Sequence, residues 1–292
     1  MRKQFVKSIK NILRKDEKTV LMLGDIGVFG FREELKDLPK RAYNIGILEQ
    51  CTVGVAAGLS KIGMIPIVHT IAPFLVERSF EQIKVDFGYQ KLRGNLISVG
   101  SSYDYASLGC THHCPADVNL MLSIPNVQIV VPGSSHELSQ LLDQAYNNDS
   151  LTYFRLSEFE NEQQHDVNFG KGILIKKGSK ATIICYGNML SETIKACENL
   201  DVTILYYHTI FPFDSDLLME NFNEKIIICE PFYEGSTNFL INKTLNKYKY
   251  QTLNIGVPRQ FLINYGSKLE HDQNLGLDHA GISSKIKSFI NG

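Results

Sequence analysis

A single carboxylate stands at the point where a run of small and apolar residues begins. The segment from Asn44 through Gly46 to Glu49 leads directly into the small-residue stretch Cys51–Gly58. This pattern predicts a short strand, a turn at the glycine and a helix with Glu49 in its first turn. A carboxyl group buried there could exchange a proton with a bound ligand. The simpler interpretation is that the acid only complements the positive end of the helix dipole.

Two adjacent histidines lie between two cysteines further along the chain. Cys110, His112, His113 and Cys114 are all residue types that bind zinc. Their spacing is crowded, however, and no second pair of ligands follows at a usable distance. We therefore expect no metal site in this chain.

A third cluster combines aromatic and charged residues. Phe74, Glu77, Arg78 and Phe80 follow a predicted strand that ends at His69. Phenylalanines of this kind either pack on the flat ring of a ligand or fill a hydrophobic core, and the sequence leaves both interpretations open.

These residues must be positioned by alternating strands and helices. Short β-branched runs alternate with longer amphipathic stretches over the whole chain, which predicts an α/β fold with mostly parallel sheets. A polar, acid-rich segment without periodicity begins at Glu158 and separates two such series. We therefore predict a first domain at residues 1–160, a linker at 161–169 and a second domain at 170–292. The predicted strands are Val20–Leu23, Met64–His69, Leu96–Val99, Val127–Val131, Thr152–Arg155, Gly172–Lys176, Ala181–Tyr186, Val202–His208, Lys225–Cys229 and Thr252–Ile255. The predicted helices are an amphipathic one at the N-terminus and those near Ile47–Lys61, Phe74–Tyr89, Ser135–Asn147, Met189–Asn199, Asp214–Phe222, Ser236–Asn246 and Ala280–Ile290.

Composition limits the classes of function. The chain has 292 residues, a formal net charge of -1 and 43% hydrophobic residues. Such a balance does not favour nucleic acid or an anionic membrane as the main partner. No apolar run is long enough to span a bilayer, and the six scattered cysteines suit reduced thiols. We expect a cytoplasmic protein.

The Asn44-to-Gln50 segment resembles the pyrimidine-domain motif of transketolases, deoxyxylulose phosphate synthases and the beta subunits of 2-oxoacid dehydrogenases. The Gly109-Cys-Thr-His112 segment and the Ile124-to-Pro132 strand that follows are similar to the same family, and the resemblance extends over both halves of the chain. It implies the thiamine diphosphate-binding pyrimidine domain followed by the transketolase C-terminal domain.

The resemblance implies roles for the candidate residues. Glu49 would activate thiamine diphosphate through its aminopyrimidine ring, and for this it must hold a proton near neutrality, which burial would accomplish. His112 would act beside it as a second catalytic residue that faces the substrate. The implied cofactor contacts are Asp25, Ile47, Glu49, Phe74, Glu77 and Phe80, and the implied substrate contacts are His112, His113, Arg155 and Arg78.

Arg155 would bind the phosphate of a sugar substrate, because a guanidinium group matches a phosphate dianion in shape and charge. The alternative left open is a salt bridge to the acidic segment that begins at Glu158.

The family's diphosphate domain carries a Gly-Asp-Gly motif, and the nearest string in this chain, Gly24-Asp25-Ile26-Gly27, lacks that pattern. The resemblance therefore implies a partner chain, an N-terminal transketolase subunit that holds the cofactor's diphosphate and its Mg²⁺ or Ca²⁺. Family precedent suggests a heterotetramer with two copies of each chain.

The implied reaction is transfer of a two-carbon ketol unit between sugar phosphates. Many transketolases have an aspartate four residues before the histidine, and this chain has Leu108 there. We therefore expect a specialised sugar, as in surface-polysaccharide synthesis. The alternatives are a deoxyxylulose phosphate synthase-like subunit, a 2-oxoacid dehydrogenase beta-type subunit, and a regulatory subunit without catalysis.

Overall fold

The computed structural model describes all 292 residues and contains two β-sheets. The strands are β1 (Thr19–Leu23), β2 (Ala42–Asn44), β3 (Ile65–Ile71), β4 (Gly94–Val99), β5 (Gln128–Val130), β6 (Leu151–Arg155), β7 (Ile173–Lys176), β8 (Thr182–Tyr186), β9 (Thr203–Tyr207), β10 (Thr209–Phe211), β11 (Lys225–Tyr233) and β12 (Gln251–Val257).

The helices lie between these strands. They are α1 (Arg2–Lys15), α2 (Arg32–Asp37), α3 (Glu49–Lys61), α4 (Phe80–Gln82), α5 (Asp117–Leu122), α6 (Ser135–Ala145), α7 (Leu190–Ala196), α8 (Ser215–Glu220), α9 (Asn238–Thr244), α10 (Lys268–Leu275) and α11 (His279–Asn291). Two π-helical segments, Pro73–Glu77 and Ile83–Tyr89, flank α4. None of the helices combines the length and the apolar composition that crossing a membrane requires.

The two sheets are mainly parallel. The seven-stranded sheet has the order β10-β5-β6-β4-β3-β1-β2, and the five-stranded sheet has the order β12-β11-β8-β9-β7. Only β10 beside β5 and β7 beside β9 are antiparallel. Every residue of β1, β3, β4 and β6 is buried, which explains why these strands are rich in apolar residues, because helices cover both faces of a parallel sheet. The predicted α/β fold is confirmed.

The two halves of the chain are not separate units. Strand β10 belongs to the second half of the sequence, yet it pairs with β5 at the edge of the first sheet. One core cluster of 31 buried residues contains Val20 and Leu96 from the first half together with Ile184 and Ile228 from the second. The segment predicted as a linker, 161–169, contains no helix or strand. The predicted division at this segment therefore does not account for β10, a strand of the second half that belongs to the first sheet.

Glu230 on β11 makes the stability of the second sheet sensitive to pH. Its side chain is fully buried and accepts hydrogen bonds from the backbone N–H groups of Gly235 and Thr237 and from the Thr237 hydroxyl. Burial raises the pKa of the Glu230 carboxyl group from 4.5 to about 7. A carboxyl group whose pKa is raised by folding contributes stability below its unfolded pKa and loses that contribution as the pH rises through the folded value.

We expect Glu230→Gln to remove this dependence. The difference in unfolding free energy between the wild type and the variant should fall by about 3 kcal/mol from pH 4.5 to pH 8, as measured by urea unfolding. The exposed Glu198→Gln serves as the control and should show a flat difference. A flat difference for Glu230→Gln as well would contradict this role.

Candidate active site

The segments that follow four parallel strands of the first sheet all lie at the carboxyl-terminal end of that sheet. Asp25 follows β1, Glu49 follows β2, Arg78 follows β3 and His112 follows β4. The carboxyl ends of neighbouring parallel strands lie side by side, and ligands of α/β folds bind there. The fold therefore brings Asp25, Glu49, Arg78 and His112 to the same end of the sheet.

Glu49 is the first residue of α3, and only 2% of it is exposed. Its Oε2 accepts a hydrogen bond of 2.7 Å from Nη1 of Arg78. Its Oε1 is buried and has no hydrogen-bond partner in the chain. A buried carboxyl oxygen without a partner is costly, so this atom marks a place where a ligand could donate or accept a hydrogen bond.

Arg78 joins Glu49 to an aromatic group. The guanidinium carbon lies 4.3 Å from the centre of the Phe74 ring. The Phe74 ring in turn meets the His112 ring edge to face, with centroids 5.3 Å apart. Glu49, Arg78, Phe74 and His112 thus form one continuous line of contacts, which the sequence did not predict as a unit.

His112 lies at the end of this line and is half-buried. Its Nδ1 is 3.0 Å from the hydroxyl of Thr111, and its ring lies 6.5 Å from that of Tyr105. The hydroxyl contact involves one ring nitrogen and leaves Nε2 for a ligand. An imidazole in this position can exchange protons with a substrate or bind a substrate oxygen.

Asn44 connects two of the loops around Glu49. Its Oδ1 accepts hydrogen bonds from the backbone N–H groups of Asp25 at 3.0 Å and Gly46 at 3.3 Å, and its Nδ2 donates to the Asp25 carboxylate at 3.2 Å. Gly46 has a φ of 83°, a conformation that favours glycine. Asn44 is part of the sequence motif, but its residue type and spacing alone predicted no role for it. Its position shows that it shapes the turn before Glu49.

Phe80, Glu77 and Ile47 occupy different surroundings. Phe80 is half-buried, packs against the main core and lines a groove with Lys84 and Tyr89, apart from the line of contacts at Glu49. Glu77 is exposed at the end of the first π-helical segment. Ile47 is 68% exposed. The cofactor contacts predicted for these three residues therefore stay predictions.

Arg155 requires a correction. The residue ends β6 and is only 3% exposed. Its Nε donates to the carboxylate of Asp117 at 2.7 Å, and its Nη2 donates to the Ser102 hydroxyl at 2.7 Å and to the Pro231 carbonyl at 3.2 Å. The alternative salt bridge to the segment at Glu158 was wrong, because the guanidinium pairs with the buried Asp117 instead. The phosphate contact of Arg155 stays a prediction.

His113 also lies away from the predicted substrate position. It is 7% exposed, and its ring meets that of His271 on α10 edge to face, with centroids 5.9 Å apart. Burial, reinforced by the neighbouring His271, lowers the pKa of His113. A buried, neutral imidazole that packs against the second half of the chain is poorly placed to bind a sugar phosphate. Its predicted substrate contact is not supported.

The cysteines and histidines of this segment do not converge. Cys110 is exposed, whereas Cys114 is buried, and both are free thiols. No three histidine, cysteine, aspartate or glutamate side chains lie close enough to share a metal ion. The segment therefore shows no zinc site.

Two known family models match the chain. Residues 1–162 match the family described as "Transketolase, pyrimidine binding domain", and residues 170–282 match "Transketolase, C-terminal domain". The chain belongs to the transketolase family. The predicted resemblance is therefore confirmed, together with its extension over both halves.

Relatives of similar length are also found. The chain is 36% identical over 291 residues to an uncharacterized 33.6 kDa protein in the fasciation locus of Rhodococcoides fascians, an alignment that covers 98% of this chain and 93% of the relative. It is 29% identical over 262 residues to one of the subunits of the apulose-4-phosphate transketolase of Actinobacillus succinogenes, with 86% and 83% covered.

A solved structure gives the same fold. The structure described as "Split gene transketolase, inactive beta4 tetramer" superposes with a TM-score of 0.86 at 24% sequence identity, and the match covers 99% of this chain and 97% of that one. The transketolase-family chain is therefore similar, over nearly its full length, to subunits of divided enzymes.

Proposed function

We propose that this chain is one subunit of a divided, thiamine diphosphate-dependent transketolase. In this proposal it supplies the pyrimidine and C-terminal domains, and it transfers a two-carbon ketol unit between sugar phosphates only when a partner chain supplies the diphosphate domain. The unpartnered, buried Oε1 of Glu49 carries the proposal. The relatives described as a subunit of an apulose-4-phosphate transketolase and as a split-gene transketolase support it.

The residues at the sheet edge fit the pyrimidine end of this cofactor. Glu49 offers a buried oxygen for a hydrogen bond to a ring nitrogen, and the aromatic ring of Phe74, on which Arg78 stacks, lies in the same line of contacts. When bound, thiamine diphosphate supplies a carbon nucleophile that cleaves and forms carbon–carbon bonds. The partner chain would hold the diphosphate and its Mg²⁺ or Ca²⁺.

The chain's own residues then act on protons and on the substrate. In this proposal Glu49 holds or accepts a proton at Oε1, and His112 contacts a substrate oxygen at the end of the same line of contacts. We assign Arg155 no role in these steps, because its Nε and Nη2 donors are engaged with Asp117, Ser102 and Pro231.

The surface beside the site supports a partner chain. Four large apolar side chains near the site are exposed, and all four lie in segments that follow strands of the first sheet. They are Phe29, Ile47, Leu48 and Leu108, at 81%, 68%, 57% and 50%. Large exposed apolar side chains around a site are typical of a protein–protein interface. We propose that the diphosphate-domain chain covers this surface in a heterotetramer of two copies of each chain.

Reconstitution tests the proposed function. The chain is co-expressed with a candidate partner that carries the Gly-Asp-Gly motif, and the purified complex is titrated with thiamine diphosphate and Mg²⁺ by calorimetry and assayed with ketose and aldose phosphates. We expect cofactor binding and ketol transfer from the complex and from neither chain alone. A complex that binds no cofactor, or that acts only on pyruvate or other 2-oxoacids, contradicts the proposal.

Substitution of Leu108 tests which sugar the enzyme uses. It lies at the end of a short helical turn before Gly109 and cannot donate or accept a hydrogen bond. If the enzyme serves a specialised sugar, as in surface-polysaccharide synthesis, Leu108→Asp should raise kcat/KM for xylulose 5-phosphate by about tenfold, because it restores a polar partner for a hydroxyl group.

Leu108→Ala is the matched control, since it shortens the side chain without adding polarity. It should leave kcat/KM for xylulose 5-phosphate close to that of the wild type. If the wild-type complex already turns over this sugar as fast as an ordinary transketolase, the specialised-substrate hypothesis is wrong.

A further inference from the structure

We propose that Tyr265 is a positioning residue through which the second half of the chain fixes the turn that carries His112. The inference rests on the proposed function, because it concerns how His112 is held where it contacts the substrate. It arises from one contact between the two halves of the chain and from the backbone around that contact.

Gly109 is the joint between two short helical turns, and it is hydrogen-bonded to His112. The first turn is Ala106–Leu108 and the second is Cys110–His112. The carbonyl of Gly109 accepts a hydrogen bond of 3.0 Å from the backbone N–H of His112. Gly109 has a φ of 72° and a ψ of -165°, a conformation that is essentially restricted to glycine. The Gly109 backbone therefore sets the direction in which the turn with His112 begins.

Tyr265 covers this joint from the second half of the chain. A Cβ atom placed on Gly109 would lie 2.7 Å from Cε1 and 3.1 Å from Cζ of the Tyr265 ring. Carbon atoms in favourable contact are about 3.5–4.0 Å apart, so the ring fills the space that any side chain at this position would need. Gly109 is buried, whereas its neighbours Leu108 and Cys110 are exposed. The ring thus packs directly on the backbone of the joint.

Helix α10 is attached to the chain on both sides of Gly109. Before the glycine, the hydroxyl of Tyr103 donates a hydrogen bond of 2.6 Å to the carboxylate of Asp272. After the glycine, the ring of His113 meets that of His271, with centroids 5.9 Å apart. Because α10 begins shortly after the tyrosine in the sequence, these two contacts hold the tyrosine ring against the joint.

The contact belongs to the surface of the protein and not to its hydrophobic core. Tyr265 is 72% exposed, and Phe261 in the same irregular segment is 77% exposed. Substitutions at such exposed positions usually change stability little, so removal of either ring should leave the fold intact. The two rings differ in that only Tyr265 packs on Gly109. Loss of the Tyr265 ring should therefore affect the turn with His112 specifically.

The expected effect is on the rate of turnover. A displacement of about 1 Å in a group that acts on the substrate can cost about 100-fold in rate. The His112 ring keeps its contact with Phe74, with centroids 5.3 Å apart, when Tyr265 is truncated. We therefore expect a smaller loss for Tyr265→Ala, about tenfold in kcat, with KM changed by less than about twofold.

Kinetics of four reconstituted complexes test this inference. The complexes carry the wild-type chain, Tyr265→Ala, His112→Ala and the double variant, and ketol transfer is measured at saturating thiamine diphosphate and Mg²⁺. Tyr265→Ala should lower kcat about tenfold in the wild-type background and should change nothing in the His112→Ala background, because it acts through that imidazole. Tyr265→Phe keeps the ring and should restore the wild-type kcat. Phe261→Ala is the matched control and should also have the wild-type kcat.

Amide hydrogen exchange of the full chain gives a second measurement that requires no activity. Mass spectrometry follows the peptide that spans residues 106–113. Without the Tyr265 ring, the hydrogen bond from the His112 N–H to the Gly109 carbonyl should open more often. We expect about tenfold faster exchange of this peptide in Tyr265→Ala, and wild-type exchange in Tyr265→Phe and Phe261→Ala.

Four outcomes overturn the inference. They are an unchanged kcat in Tyr265→Ala, an equal loss in the His112→Ala background, a Tyr265→Phe complex that behaves like Tyr265→Ala, and unchanged exchange of the peptide. In each of these cases the proposed function still stands, provided that the wild-type complex transfers the ketol unit. If the wild-type complex transfers none, the proposed function fails, and the exchange measurement alone decides whether Tyr265 holds the turn.

Discussion

Replacement of Glu49 by glutamine should lower kcat of the assembled complex by about 10²–10⁴-fold, the range that removal of a general acid–base group typically gives. The amide has the size of the carboxyl group and keeps an oxygen and a hydrogen-bond donor, but it cannot transfer a proton. The reaction is measured with saturating sugar phosphate and cofactor, so that weaker binding does not contribute to the loss.

The control for Glu49 is a second buried glutamate. Glu34 on α2 is 4% exposed and pairs with Lys10 and Arg14 of α1, which take no part in the contacts among Glu49, Arg78, Phe74 and His112. Glu34→Gln should leave kcat unchanged even if it lowers stability. Undiminished activity of the Glu49→Gln complex would contradict the catalytic role of Glu49 and favour a regulatory subunit.

Arg155→Met should destabilise the chain by about 3–5 kcal/mol, because it leaves the buried carboxylate of Asp117 without its cation. Asp117 is fully buried and also accepts a hydrogen bond from the hydroxyl of Tyr153. The network extends to the Pro231 carbonyl on β11, so the loss should weaken the contact between the two halves of the chain. Urea unfolding of the isolated chain measures the effect.

Two further variants separate the loss of charge pairing from other causes of the lower stability of Arg155→Met. The double variant Arg155→Met with Asp117→Leu removes both buried charges and should recover most of the lost stability. Arg93→Met breaks an ion pair whose aspartate is exposed and should change the unfolding free energy by less than about 0.5 kcal/mol. If Arg155→Met is as stable as the wild type but raises KM for phosphorylated sugars, the result supports the prediction from the sequence that Arg155 binds the phosphate of a sugar substrate.

The sequence predicted the parallel strands well for a physical reason. Strands such as β3 and β6 are buried along their whole length, so each appears as a short segment rich in apolar and β-branched residues between polar loops. Glu49, Phe74 and His112 were predicted as site residues through the motifs around them, and the structure places all three after strands of the first sheet. The fold class and these candidate residues thus follow from local patterns.

The pairing of charged side chains could not be predicted in the same way. Arg155 and Asp117 are 38 residues apart, and Arg78 and Glu49 are 29 residues apart. An arginine at the end of a strand has the same local sequence whether it binds a phosphate, a linker acid or a buried aspartate. Only the packing of α5 against the first sheet decides among these, and α5 has just six residues, too few to give a periodic signal.

Strand β10, which the second half of the chain contributes to the first sheet, limits where this protein can be divided. Strand β10 covers the outer edge of β5, and an uncovered edge strand offers its backbone groups to any other chain. A ribosome must therefore synthesise the chain past Phe211 before the first sheet has both edges in their final form. A gene cut at the acid-rich segment after Glu158 would give a first fragment in which the outer edge of β5 is uncovered and open to aggregation.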